Sequence, residues 1–166
     1  MQYNAINHDN IGEIKRTAGQ VKKHYTQMTD EELDYLASYM KTIKSLHNSS
    51  PHFKQKIGNQ SVDIYYAEIL KSMRAADTKD RIIEYNETPH NGRVSQRVLL
   101  KLKNPRRMMF NGKMQLVNLF AVISLEDEYV ITCYANAEYD EHVTLRMDRY
   151  NKNLKIRQIC KGGYPI

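Results

Sequence analysis

A chain of 166 residues, 27% charged and 41% hydrophobic, is sized for one compact domain with a real core. No apolar run reaches the roughly eighteen residues of a membrane-spanning helix, and two cysteines, Cys133 and Cys160, cannot build a disulfide framework. The net charge of +6 is unevenly held: residues 1–50 carry six basic and six acidic side chains and residues 126–166 carry six and seven, so the excess lies between them.

Asn10 opens the first amphipathic stretch. Ile11, Ile14, Ala18, Val21, Tyr25 and Met28 recur at spacings of three and four, and Asn10 with Glu13 resembles a capping box, so the pattern predicts a helix over 10–28. Lys15, Arg16, Lys22 and Lys23 fall off that stripe, on its solvent face. Thr29 and Glu32 repeat the capping pattern, with acids suited to the positive end of the helix dipole. Leu33, Leu36, Ala37, Met40, Ile43 and His47 then predict a second helix over 30–47. With almost nothing between them, the two helices are expected to form a hairpin over 1–48, followed by an α+β unit over 49–166.

Asn48 to Pro51 breaks the pattern. Pro51 can open a helical turn, because its missing N–H costs nothing there, and Gly58 ends it. Ser61 caps a further helix that buries Tyr66, Ile69, Leu70 and Met73 and stops near Ala76. From Lys79 the period becomes two. Residues 80–86 read as a strand, 87–92 as a turn-rich loop and 94–102 as a second strand. In that second strand Val98, Leu100 and Leu102 face one way and Arg97, Leu99 and Lys101 the other. A basic loop is expected from Asn104-Pro105 through Gly112. The stretch Val117 to Asn136 then reads as a central antiparallel hairpin, two apolar β-branched runs around Glu126, Asp127 and Glu128. Ile123 and Ile131 are expected to be deeply buried, and Thr132, Tyr134 and Asn136 to share the opposite face. His142 to Met147 alternates as a further strand, and Leu154 to Ile159 is expected to add an edge. Helices first and strands afterwards predict an α+β fold, N-terminal helices followed by a four- to five-stranded antiparallel sheet. Helices on one sheet face would leave the other showing Arg97, Lys101, Thr132, Tyr134 and Asn136.

Neither CxxC nor HExxH occurs, and the adjacent Asp140, Glu141 and His142 do not make a metal site; no metal or cofactor is expected. A Walker loop, GxGxxG and GxSxG are also missing, which leaves nucleotide hydrolysis and acyl transfer without support. The start, MQYNAINHDN, has no basic and apolar signal regions, so a cytoplasmic protein is expected. From Arg93 to Lys113 there are seven cations and no acid: Arg93, Arg97, Lys101, Lys103, Arg106, Arg107 and Lys113. Such a concentration neutralises phosphates and steers polyanions, so RNA or another nucleic acid is the expected partner.

Three further features belong together: a Ser-x-His start to a helical region (SPHFKQK, Ser50 to Lys56), a meander with cations in its second strand (RVSQRVLLKL), and a hairpin ending in Thr-x-Tyr (VITCY, Val130 to Tyr134). In these the section from Ser50 to Asn136 resembles the barnase–EndoU–colicin–RelE group of small ribonuclease toxins. The size and the phrase AEYDEHVTLRMDRY also resemble proteins of phages and mobile elements. The toxin resemblance implies metal-independent RNA cleavage, in which the 2′-OH attacks the neighbouring phosphate. The enzyme must then move two protons and stabilise the pentacoordinate phosphate. It implies His52 or His142 for proton transfer, Arg97 and Lys101 for phosphate, and Thr132, Tyr134 and Asn136 for positioning. Where the family often carries Arg after the helical His, this chain has Lys54 and Lys56. The alternative is a non-enzymatic accessory protein of phage type, anti-defence or regulatory, that holds nucleic acid or a host protein on the same surface. A further alternative is a protein-binding regulator that uses the N-terminal helices as its arm; the twelve tyrosines and eight methionines could furnish that interface or equally fill the core.

Overall fold

In the computed structural model, which describes residues 19–137 and 147–166, Thr29 and Glu32 cap one another as their spacing requires. The Glu32 backbone N–H donates to Thr29 Oγ1 at 3.1 Å and the Thr29 N–H to the Glu32 carboxylate at 3.0 Å. Helix α1 (Asp30–Thr42) follows. It stops short of the expected end because Ile43 turns into extended backbone, and Ile43 and Leu46 enter the core from there. Arg74 donates to the freed carbonyls of Ile43 and Lys44, which offsets the missing helical bonds. Three more helices are described: α2 (Pro51–Ile57), with Pro51 in its first turn and Ser50 as its cap, α3 (Val62–Met73) and the single turn α4 (Thr78–Arg81).

The strands are β1 (Val21–His24), β2 (Asn48–Ser49), β3 (Ile82–His90), β4 (Arg93–Lys101), β5 (Arg106–Phe110), β6 (Lys113–Ser124), β7 (Tyr129–Ala137) and β8 (Tyr164–Pro165). They form one eight-stranded mixed sheet in the order β1-β3-β4-β6-β7-β2. β5 pairs with β6 in line with β4, and β8 pairs with the start of β4 in line with β6. All pairings are antiparallel except β2 with β7. The α+β class is as expected; the sheet is larger than four or five strands and not wholly antiparallel.

The extra strands arise where periodicity gives no strand signal. Val21–His24, expected as the end of a helix, is instead an edge strand on β3. Its lysines find carboxylates on other elements: Lys22 lies 3.9 Å from Glu84, and Lys23, buried rather than on a wet face, lies 2.8 Å from Glu32. The expected helix between Asn10 and Ala18 lies outside the described residues. The basic loop expected over 103–112 contains β5, joined to β6 by a two-residue turn in which Asn111 (φ +53) and Gly112 (φ +76) are both left-handed. This is the geometry that Asn-Gly supports. The expected strand over 142–147 lies outside the described residues except for Met147, which begins a 3-10 turn (Met147–Arg149). Leu154 to Ile159 is not a strand, because its backbone is held by side chains: the Ile156 N–H donates to Glu32 and the Ile159 N–H to Tyr35 Oη.

One sheet face carries the main core. Leu36, Met40, Phe53, Ile57, Tyr65, Ile69 and Met73 from the helices meet Tyr85, Val98, Leu100, Leu119, Ala121, Ile123, Cys133 and Ala135. The central hairpin β6–β7 is as expected, and Ile123 is fully buried. Ile131 is only half-buried. A register shift between Val122 and Ile123 gives Val130 the position opposite Ile123, so Val130 rather than Ile131 enters the core. The other face carries a second cluster, Ile83, Leu99 and Phe120, with Val122 and Tyr134 against it. No described helix is long and apolar enough to cross a membrane.

Candidate nucleic-acid interface

The period of two and the observed register together decide what the second face presents. Along β4 it shows Arg97, Leu99 and Lys101; along β6, Asn118, Phe120, Val122 and Ser124; along β7, Thr132, Tyr134 and Asn136. Cross-strand rows run Arg97–Ser124, Leu99–Val122–Thr132, Lys101–Phe120–Tyr134 and Asn118–Asn136. The five residues expected to share a face therefore do so, but Asn136 is buried there and the other four are half-buried. They do not form one catalytic pocket. Arg97 lies two strands and four residues away from the row of Tyr134, about 16 Å at ordinary strand spacing, so the two address different positions along a bound strand.

Arg97 sits among local partners. Its Nε donates to Ser95 Oγ at 3.1 Å, and burial pulls its pKa down while Glu126 and Asp127 nearby hold it up. Lys101 has no ion pair among the described residues. Tyr134 stacks on Phe120 with ring centroids 5.5 Å apart and planes 19° from parallel. Near Tyr134 comes Lys56, which in the sequence only stands where the toxins often have an arginine. α2 packs against β7, anchored by the Ser50 hydroxyl donating to the Ile131 carbonyl. From there the Lys56 ammonium reaches Thr132 Oγ1 at 3.4 Å and the Tyr134 ring at 5.8 Å. Burial pulls the Lys56 pKa down. Lys101 and Lys56 thus flank the Phe120–Tyr134 stack at opposite ends of its row.

The remaining cations divide by what holds them. Arg93 is bound to the C-terminal segment, donating to the carbonyls of Gly162 and Gly163. The Arg106 guanidinium lies over the Tyr65 ring at 5.4 Å, on the core side of the sheet. Lys103 is exposed in the short link after β4, where its backbone N–H donates to Ser72 Oγ. Arg107 and Lys113 are exposed and without an ion pair among the described residues. Arg107 projects on the same face as Lys101 and Tyr134; Lys113 lies opposite Phe110 on the other. β4, β5, β6 and β7 contain no Asp or Glu.

His52 is exposed in the first turn of α2, and His142 lies outside the described residues. His24, on the β1 end of the same sheet face, is fully buried and caps the following 3-10 turn through Thr26. That end of the face is a structural network: Tyr150 donates to Glu84 at 2.6 Å and Lys22 lies 4.7 Å over the Tyr150 ring. Cys133, buried in the core, has its thiol pushed up to about 12 by burial. No His, Cys, Asp and Glu group suited to a metal occurs among the described residues. No protein-family model, curated protein or solved structure matches this chain.

Proposed function

We propose that this protein binds nucleic acid, RNA first, along the face of β4, β5, β6 and β7. The supporting observation is that Arg97, Lys101 and Arg107 share this face and that its four adjoining strands carry no carboxylate. Lys56, Lys101 and Arg107 contact phosphates, Tyr134 packs on a base, and Thr132 hydrogen-bonds along the strand. Fluorescence anisotropy with labelled RNA over a salt series tests this. Three or four neutralised phosphates give a log–log salt slope of roughly −2 to −3 on a single strand. Lys101→Glu with Arg107→Glu flattens the slope and lowers affinity at least tenfold, by the loss of about 0.7 per contact and added repulsion. Lys41→Glu with Lys44→Glu, both exposed on or beside α1, is the matched control. Equal effects from the two pairs would reject the reading.

A second reading, RNA cleavage without a metal, is favoured by Lys56: an ammonium whose burial makes it a readier proton donor, beside Thr132 and Tyr134. Incubation in EDTA followed by end-group analysis decides it. Cyclic-phosphate ends that vanish in Lys56→Ala support cleavage, and their absence from the wild type leaves binding alone.

A further inference from the structure

Among the described residues, β5 and the first residues of β6 run on beyond the start of the β6–β7 pairing at Val117 as a two-stranded ribbon. Its two faces differ. On the core side Phe110 is buried at 2% exposure and Arg106 lies on Tyr65, while the Gln115 amide donates to the Phe110 carbonyl at 2.7 Å. These contacts, with the left-handed Asn111-Gly112 turn, tie the core side of the ribbon to the body of the protein. On the other side Met109 and Met114 stand directly opposite each other, 43% and 57% exposed. Arg107 precedes Met109 by two residues on the same face, and Lys113 lies at the turn.

An exposed apolar pair beside Arg107, with Lys113 at the turn, suits an occupant that is both anionic and apolar. A second copy of this chain would set Arg107 and Lys113 against their own duplicates, and no acid occurs between Thr88 and Leu125 to relieve that. A nucleic acid supplies phosphate for the cations. Its bases supply aromatic rings, against which thioether sulfur packs well. In a duplex the base faces are stacked inside, and the A-form major groove is too deep and narrow for side chains to read. Only unpaired bases offer their rings.

We infer that the Met109–Met114 pair receives the bases of single-stranded RNA, so that the surface prefers single strand over duplex. The inference rests on the nucleic-acid reading above and names the form of RNA that this surface takes.

The test is anisotropy of the full chain with a single-stranded RNA and an RNA hairpin of equal phosphate count. The wild type is expected to prefer the single strand. Met109→Ala with Met114→Ala is expected to lose about tenfold on the single strand and less than twofold on the hairpin. Arg107→Glu is expected to lose on both. Both methionines are exposed, so circular dichroism should not change, and Met109→Leu with Met114→Leu, which keeps an apolar pair, is expected to retain most of the preference. Equal losses on both RNAs, or no loss, would overturn the inference while the nucleic-acid reading stands. A wild type that binds neither RNA overturns that reading first. A dimer that the alanine pair dissociates in light scattering, or binding only to anionic-lipid vesicles, would assign the methionines to a second copy or to a membrane surface and likewise end the inference.

Discussion

Two hairpins in this chain turn on the same dipeptide. Asn91-Gly92 joins β3 to β4 and Asn111-Gly112 joins β5 to β6, with φ of +51 and +74 in the first and +53 and +76 in the second. The backbones are near copies, yet the two tips do different things. The first is clasped: β8 pairs with Arg93 and Val94, the Ile166 N–H donates to the Gly92 carbonyl, and Arg93 donates to Gly162 and Gly163. The second displays Met109, Met114, Arg107 and Lys113 to solvent. A cation beside an Asn-Gly turn is therefore not by itself a contact for a ligand. Arg93 is spent on the fold and Arg107 is available, and only the position of the C-terminal segment separates them.

The largest effect that could break this comparison lies in the clasp. Gly163 has φ +80, and a Cβ there would stand 2.6 Å from the Val94 carbonyl oxygen. Gly163→Ala should cost about 3 kcal/mol, from strain plus overlap with backbone that cannot give way. Chemical denaturation measures it, and a loss under about 1 kcal/mol would show that the segment is not seated as described.

Next comes Glu32, which anchors the same segment through the Ile156 N–H and also accepts from Lys23 and Thr29. Glu32→Gln should cost about 2 kcal/mol. Burial raises the Glu32 pKa, but the Lys23 ammonium and the Thr29 and Ile156 N–H groups outweigh it and hold the carboxyl below its usual 4.5. The folded pKa is thus below the unfolded one. The stabilisation is present in full above pH 4.5 and is lost as pH falls through the folded value. A denaturation series through that window should show the acid loss in the wild type and less of it in Glu32→Gln.

Arg93 and Arg107 sharpen the contrast directly. Arg93→Ala should lower stability by about 1.5 kcal/mol through its charged hydrogen bonds and leave RNA affinity nearly unchanged. Arg107→Ala should do the reverse, with a shallower salt slope and an unchanged melting temperature. The smallest effect is shared. Gly92→Ala and Gly112→Ala each meet open space, so only the left-handed φ opposes them, at about 1 kcal/mol apiece. Unequal costs would mean that the two turns are not equivalent after all.

Much of this was legible along the chain. The capping box at Thr29, the Pro51 helix start, the alternation of β4 and the β6–β7 hairpin all rest on local rules, and the structure has each of them. The β5–β6 hairpin is legible too: Asn111-Gly112 is a strong local hairpin signal, although the flanking Arg106 and Arg107 look like loop. β1 was not. Its spacing fits a helix as well as a strand, and its lysines are satisfied by Glu84 and Glu32, 62 and 9 residues away in sequence. Lys56 lies in the SPHFKQK stretch, but its place beside Tyr134 depends on how α2 packs against β7.

Local sequence by itself determined which residues alternate, where helices start and where tight turns fall, because each of those depends on neighbours within a few positions. It also determined that the cations between Arg93 and Lys113 have no acid among them. Tertiary structure alone decided which of those cations face solvent. Pairing register carried Lys101 and Arg107 to the face of Tyr134, core packing drew Arg106 onto Tyr65, and the returning C-terminal segment took Arg93. The reason is physical: a charge ends where its partners and burial place it, and those partners come from parts of the chain far away in sequence.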